Sequence, residues 1–338
     1  MSRARHVLVV GGGANAEHDV SNGSAAAVRE ALLASGHLVT GLTIRRDGGW
    51  ETVSGTQIGI AAAIQRLRES DVIFPALHGE GTEDGTIAGL LDVVGVPYVG
   101  SGVRAGALAM DKWTSKLIAE RLGISTARGA LVDGESTHGD PAAVPLPVVV
   151  KPVASGSSYG AARVDRAQDL DAAIAAAQQY DTRVLVEEFV TAREIDVAVM
   201  RGATGELHVA PPLEIGKDTE QLFDTALKYD AAPDFRVPAA VPQVVRDRLS
   251  AAAKAMYEAL GCAGVARVDF FVRDDEIIFN EINTMPGMTE HSQVPRMFAV
   301  DGVTFPELTA RLVAAAYARD ARRSEKRDAE DSRRRRQP

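Results

Sequence analysis

The chain has 338 residues, 46% hydrophobic and 25% charged, an ordinary globular composition with enough length for two or three cores. No apolar run reaches the ~20 residues of a membrane span, the single cysteine, Cys262, excludes an internal disulfide framework, and a net charge of −9 argues against generic nucleic-acid binding. The opening MSRARHVLVVGGG is too short and too glycine-rich for a signal peptide, so a cytoplasmic protein with neither membrane nor nucleic-acid partner is expected.

HVLVV (6–10), HLVTGLTI (37–44) and DVIFPAL (71–77) are apolar, β-rich runs, with helical patterns between them at 22–35 and 57–69. This alternation predicts a parallel, Rossmann-like sheet over residues 1–100. GGGANAE (11–17) lacks the GxGxxG spacing and suits a glycine turn that brings substrate to a helix N-terminus. In AEHDVS, Glu17 and Ser21 read by themselves as helix-cap residues. His78-Gly-Glu-Gly-Thr-Glu-Asp-Gly85 follows the third strand at its carboxyl end, where open parallel sheets place ligands, although Asp84 also suits a cap of the next helix.

Residues 101–186 predict a small α+β unit. It begins with one helix at 103–122, on which Lys112 reads as either a solvent-facing or a functional lysine. A strand ending at Lys151 then enters the loop Ser155-Gly-Ser157-Ser158-Tyr159-Gly160. A lysine beside a mobile Gly/Ser loop suits nucleotide phosphates, and a surface hairpin fits equally well. GxxxxGK[ST] is absent, so this is no Walker A loop. A strand at 183–190 closes the unit. Residues 187–318 add further strands, a polar loop at 223–235 containing Lys228 and Tyr229, a helix at 242–260 and a last helix at 305–318. Cys262 is expected as a buried structural thiol. Residues 319–338 carry nine basic and five acidic side chains and no apolar residue larger than alanine. They predict a disordered, solvated tail.

The strongest chemical signal lies in VARVDFFV (265–272) and IIFNEIN (277–283). Alternation puts Arg267 and Asp269 on one strand face, and Glu281 and Asn283 share a face of the neighbouring strand. Two carboxylates and an amide oxygen make a hard donor set suited to Mg²⁺, and an adjacent arginine suits a transferring phosphoryl group. So much charge between core runs needs a partner.

With NTMPGMTEHSQVP (283–295), this segment resembles the metal-binding end and substrate loop of the D-alanine–D-alanine ligases, members of the ATP-grasp superfamily. KPVASGSSYG, HGEGTEDG and AEHDVS are similar to further motifs of that family, in the same order. The resemblance implies a two-lobed ATP-grasp fold after the N-terminal domain. It implies ATP and two Mg²⁺ ions as cofactors (with Mn²⁺ able to replace Mg²⁺), D-alanine as substrate, and a homodimer. Asp269, Glu281 and Asn283 would hold the metal. Lys112, Lys151, Ser158 and Lys228 would face the nucleotide phosphates, Glu187 and Glu194 the rest of the nucleotide, with Glu194 on the ribose. Glu17 would take the ammonium of the first D-alanine, in a set with Ser157 and Tyr229, beside His78. Arg267 and the Gly287 N–H would stabilise an oxyanion, and Ser292 with the Gln293 backbone would hold the second carboxylate. The chain departs from the family pattern at Thr82, Ser155, Tyr159, Gln293 and the lid aromatics before Lys228, which bears on the second substrate.

Overall fold

The computed structural model describes residues 4–134, 136–216 and 234–334. Strand β1 (His6–Gly12) lies between β2 (Leu38–Ile44) and β5 (Val72–Pro75), parallel to both. Side chains of β1 alternate between two cores, Val7 and Val9 against α1 (His18–Ala34) and Leu8 and Val10 against α2 (Ile60–Arg68) and α3 (Thr86–Val94). The expected parallel sheet is present, with an antiparallel edge added by β3 (Trp50–Thr52) and β4 (Gln57–Ile58). Residues 57–58 therefore belong to that edge and not to a helix starting at 57. Helix α1 begins four residues earlier than the periodicity suggested.

The helix expected at 103–122 is two helices, α4 (Val103–Met110) and α5 (Lys112–Arg121). Asp111 breaks it with an extended backbone and caps α5, its Oδ1 accepting from the Thr114 N–H at 2.7 Å. The middle sheet runs β10 (Ala162–Val164), β9 (Val148–Pro152), β11 (Arg183–Glu188), β7 (Gly129–Asp133) and β8 (Ser136–His138), all antiparallel, with α6 (Leu170–Ala177) on one face. The C-terminal sheet runs β15 (Asp234–Arg236), β14 (Leu213–Gly216), β12 (Arg193–Arg201), β16 (Val265–Arg273), β17 (Glu276–Asn283) and β6 (Ser125–Thr126), with β13 (Leu207–Val209) beside β12. Helix α7 (Gln243–Leu260) packs on it with α4 and α5. Thus α4, α5 and β6, placed in the middle unit by the division at 101–186, build the C-terminal body. Cys262 is buried in this core, and burial pushes its thiol up to about 12, as suits a structural residue.

Helix α8 (Gln293–Val300) precedes α9 (Phe305–Arg334). The disordered tail expected from 319 onward is corrected here: α9 continues unbroken to Arg334. Strong helix formers replace apolar periodicity in this stretch, and Arg319 anchors it, donating from Nη1 to the Gly100 carbonyl and from Nη2 to the Tyr98 carbonyl, each at 2.7 Å. Among the described residues no helix is long and apolar enough to cross a membrane.

Arg319→Met keeps the apolar stem and deletes both charge-assisted bonds, so it is expected to lower unfolding stability by about 1–3 kcal/mol in urea titration. Arg311→Met, which breaks only an exposed helical pair with Glu307, should barely move the midpoint. Equal effects from the two changes would show that Arg319 is an ordinary surface residue.

Candidate active site

The three bodies meet at a cleft of about 490 Å³. One wall is the ladder of β16 and β17, in which Arg267 faces Asn283 and Asp269 faces Glu281. The register slips between Asp269 and Phe270, leaving Asn280 as an unpaired extra residue. Ile277, Phe279 and Ile282 face the core, whereas Asn280, Glu281 and Asn283 line the cleft. Unbroken alternation from Phe279 would have turned Glu281 and Asn283 into the core, so the bulge is what gives the site its carboxylate.

Arg267 grips Asp269 with two parallel bonds, Nε to Oδ1 and Nη2 to Oδ2, both 2.7 Å. Its Nη1 donates to Gln293 Oε1 at 2.8 Å. Although burial opposes its charge, Asp269, Asp196 and Glu281 outweigh that and raise the guanidinium above its ordinary value. Asn283 Nδ2 donates to Asp269 Oδ2 at 3.0 Å. Among the described residues no three His, Cys, Asp or Glu side chains form a metal cluster. The set here is two carboxylates and an amide oxygen on adjacent strands. It fits a hard cation that keeps phosphate and water as its remaining ligands.

Opposite this wall stand the lysines. Lys112, at the start of α5, donates to the Ser155 carbonyl at 2.7 Å and lies 3.4 Å from Glu281 Oε2. Lys151 Nζ is 2.5 Å from Glu187 Oε1 and 3.2 Å from Asn280 Oδ1. The other Glu187 oxygen pairs with Lys116 at 2.9 Å. Burial works against ionised Glu187, but the ammonium groups of Lys116 and Lys151 hold its carboxyl down at about 2. Lys151 is raised despite burial by Glu187 and Glu281. Glu187 thus holds two lysines in place while lining the cleft itself. Glu194 is buried on β12 and lines the cleft near the apolar Val149, Val190 and Phe271.

At the other end, Glu17 sits in the N-cap position of α1 but makes no side-chain cap bond. Its Oε1 accepts from the Ser157 hydroxyl instead. Two glycines make room for it: a Cβ on Gly79 or Gly156 would lie 2.5 Å from Glu17 Oε2. Ser157 and Ser158 hold left-handed backbone conformations, φ 48° and 59°, uncommon for serine. Ser21 is also no cap, since its hydroxyl accepts the His78 backbone N–H at 3.0 Å. The His78 ring bonds the Met285 carbonyl through Nδ1 at 2.8 Å and Ser24 through Nε2 at 2.9 Å. Burial lowers and Glu83 with Glu17 raises this imidazole, with a net upward result. Asp84 does take the cap-like role, accepting from the Thr86 N–H at 2.9 Å. Gly287, Ser292 and Gln293 complete the cleft, with Ser292 as N-cap of α8.

Every candidate residue in the described part of the chain therefore lines one cavity; Lys228 and Tyr229 lie outside the described residues. Reading the sequence missed four contributors. Glu83 is a half-buried and Asp196 a fully buried acid on the cleft wall, Asn280 is the bulge residue, and Lys116 is buried behind Glu187. Lys116 follows Lys112 by one helical turn, a spacing that was available as a signal.

Two family models match the chain, D-ala D-ala ligase N-terminus over residues 51–101 and D-ala D-ala ligase C-terminus over residues 122–314. The chain is 39% identical to a D-alanine--D-alanine ligase of Mycolicibacterium smegmatis over 93% of its own length and 95% of the relative's. It is 43% identical to one of Frankia casuarinae over 81% and 74%. Its structure matches that of the VanG D-Ala:D-Ser ligase from Enterococcus faecalis with a TM-score of 0.80 at 31% identity, covering 93% of this chain and 100% of that one. It also matches the D-alanine-D-alanine ligase from Coxiella burnetii with a TM-score of 0.82 at 24% identity, a likeness of fold.

Glu187 generates a pH prediction. A carboxyl held at about 2 against an ordinary 4.5 contributes stability that is complete above 4.5 and is lost as pH falls toward 2. Glu187→Gln should flatten the slope of stability against pH across that window, and Lys116→Met should move the acid loss to higher pH. Chemical denaturation at pH steps from 5 to about 2 measures both; parallel curves for wild type and both variants would refute the assignment.

Proposed function

The chain belongs to the D-alanine–D-alanine ligase family, and from that premise we propose how its cleft does the chemistry. The protein is an ADP-forming ligase that joins two D-alanines into D-alanyl-D-alanine, a peptidoglycan precursor, with ATP as energy source. The observation that carries the residue assignment is the convergence of all described candidates on one cleft, in which Lys112 and Lys151 reach Glu281 and Asn280 of the β17 wall.

The reaction has two steps. The carboxylate of the first D-alanine attacks the γ-phosphorus of ATP, and the bond to ADP breaks as the acyl phosphate forms. The amine of the second D-alanine then attacks the acyl carbon, a tetrahedral oxyanion forms, and phosphate leaves with the electron pair. Lys112 and Lys151 supply positive charge to the phosphate oxygens, with Glu187 fixing Lys151. Ser158 covers the phosphates from the loop, Lys228 is a further nucleotide-binding residue, and Glu194 receives the ribose hydroxyls. Glu17 binds the first ammonium and is oriented by Ser157, with Tyr229 as the third member of the set and His78 buttressing the same end. Arg267 and the Gly287 N–H stabilise the oxyanion. Ser292 and the Gln293 N–H, at the start of α8, hold the second carboxylate. Asp269, Glu281 and Asn283 are the residues that would hold Mg²⁺, which when bound neutralises charge on the phosphates. The working enzyme is proposed to be a cytoplasmic homodimer; light scattering tests the assembly.

The likeness to a D-Ala:D-Ser ligase makes D-serine the competitor to include for the second site. The test is an ATP turnover assay with D-alanine, D-serine, L-alanine and D-lactate, reading products by mass. D-alanine-dependent release of ADP and phosphate with formation of D-alanyl-D-alanine is expected; AMP and pyrophosphate would imply adenylation and refute the mechanism. Glu281→Gln should lower kcat by roughly tenfold or more with a far smaller effect on stability, because it removes charge where phosphate charge gathers and loosens the 3.4 Å pair with Lys112. An unchanged rate at saturating Mg²⁺ would make Glu281 structural.

A further inference from the structure

We infer that the side chain of Gln293 is a positioning residue that locks Arg267 and couples it to the site of the second amino acid; this rests on the ligase reading above. The guanidinium has five N–H groups, and two of them are committed to Asp269. A third, on Nη1, goes to Gln293 Oε1 at 2.8 Å. The same carboxamide donates from Nε2 to Asp196 Oδ2 at 2.5 Å. Asp196 is fully buried on β12, directly across the ladder from Asp269, and its Oδ2 lies 3.6 Å from Arg267 Nε. The three side chains close a ring that joins β16, β12 and the first residue of α8.

This ring solves a problem of choice. Arg267 stands between two carboxylates, and a guanidinium so placed has two competing forks. Gln293 occupies Asp196 with its N–H and takes the outer Arg267 N–H with its oxygen, which commits the arginine to Asp269. A carboxamide of this length offers an acceptor and a donor on two separate atoms, one for each partner. An apolar residue leaves both partners unmatched in a buried site. Glutamate accepts from Arg267 but has no N–H to give Asp196 and adds a further carboxylate beside Asp269. The backbone N–H of Gln293 is also the group assigned to the second carboxylate. One residue therefore reports arrival of the second substrate to the arginine that stabilises the oxyanion.

The experiment pairs Gln293→Met and Gln293→Asn with the same changes in an Asp196→Asn background. Gln293→Met should cut kcat about tenfold while KM for the second D-alanine stays within about twofold, the pattern of a lost transition-state contact. In the Asp196→Asn background the same change should cost clearly less, since both act through one ring. Asn, one methylene too short to span both partners, should behave like Met, which covers the case of a poorly folding Met variant. Hydrogen exchange of the Arg267 guanidinium protons, followed by NMR, should quicken in both variants. That readout needs no turnover, so it tests the ring even if D-alanine proves not to be the substrate. A raised KM with unchanged kcat, equal effects in both backgrounds, or unchanged Arg267 exchange would each overturn the proposal.

Discussion

A charge removed from water persists only when an opposite charge or a set of hydrogen bonds lies within reach. The cleft is organised by that constraint. Glu187 lies between Lys116 and Lys151, and Arg267 lies between Asp269 and Asp196. Each of these groups is buried or nearly so, and none would hold its charge alone. Pairing does more than stabilise. It fixes the direction of each long side chain, so the lysine ends and the guanidinium are aimed in the cleft with their rotamer freedom already lost. The remaining N–H groups of such fixed ions are the ones a substrate finds.

Backbone geometry sets where those ions stand. The bulge at Asn280 turns Glu281 and Asn283 toward the cleft while Phe279 stays in the core. The break at Asp111 starts a new helix at Lys112, so Lys112 and Lys116 project from one turn toward opposite carboxylates. Ser157 and Ser158 hold uncommon backbone angles next to Glu17. Local irregularities of this kind cost stability, and here they sit where functional groups must be aimed off the regular repeat.

These irregularities also mark the limit of what the sequence discloses. Arg267, Asp269 and Glu281 were legible because charges between apolar β runs are conspicuous, and motif order supplied Glu17, His78 and Ser292. The parallel first sheet followed from periodicity. Asp196 was not legible, because one acid in an apolar strand does not announce which strand it faces across the ladder. The task of Glu187 was hidden for the same reason: its partners come from a helix and a strand far away in sequence. Gln293 was readable as a departure, but its two partners became visible only with α8 docked on β12 and β16. The helix beyond Arg319 lacked apolar periodicity, and its anchor is a pair of carbonyls that no pattern encodes.

The largest core has a mechanical consequence. It contains Val7, Val9 and Phe74 of the first sheet together with Ala198, Met200 and Leu213 of the last, joined by Met297, Leu308 and Leu312. The first and last bodies share one apolar interior, and parting them would wet both. The middle sheet keeps its own interior, built from Val148, Val150, Val184 and Leu170. That small sheet, which carries Lys151 and the serine loop, meets α5 through Leu131, Val153 and Leu185 against Trp113, a much smaller apolar contact than the one joining the first and last bodies. The molecule is a vice with one heavy jaw and one light one, and the light jaw is the one that carries Lys151 and the serine loop.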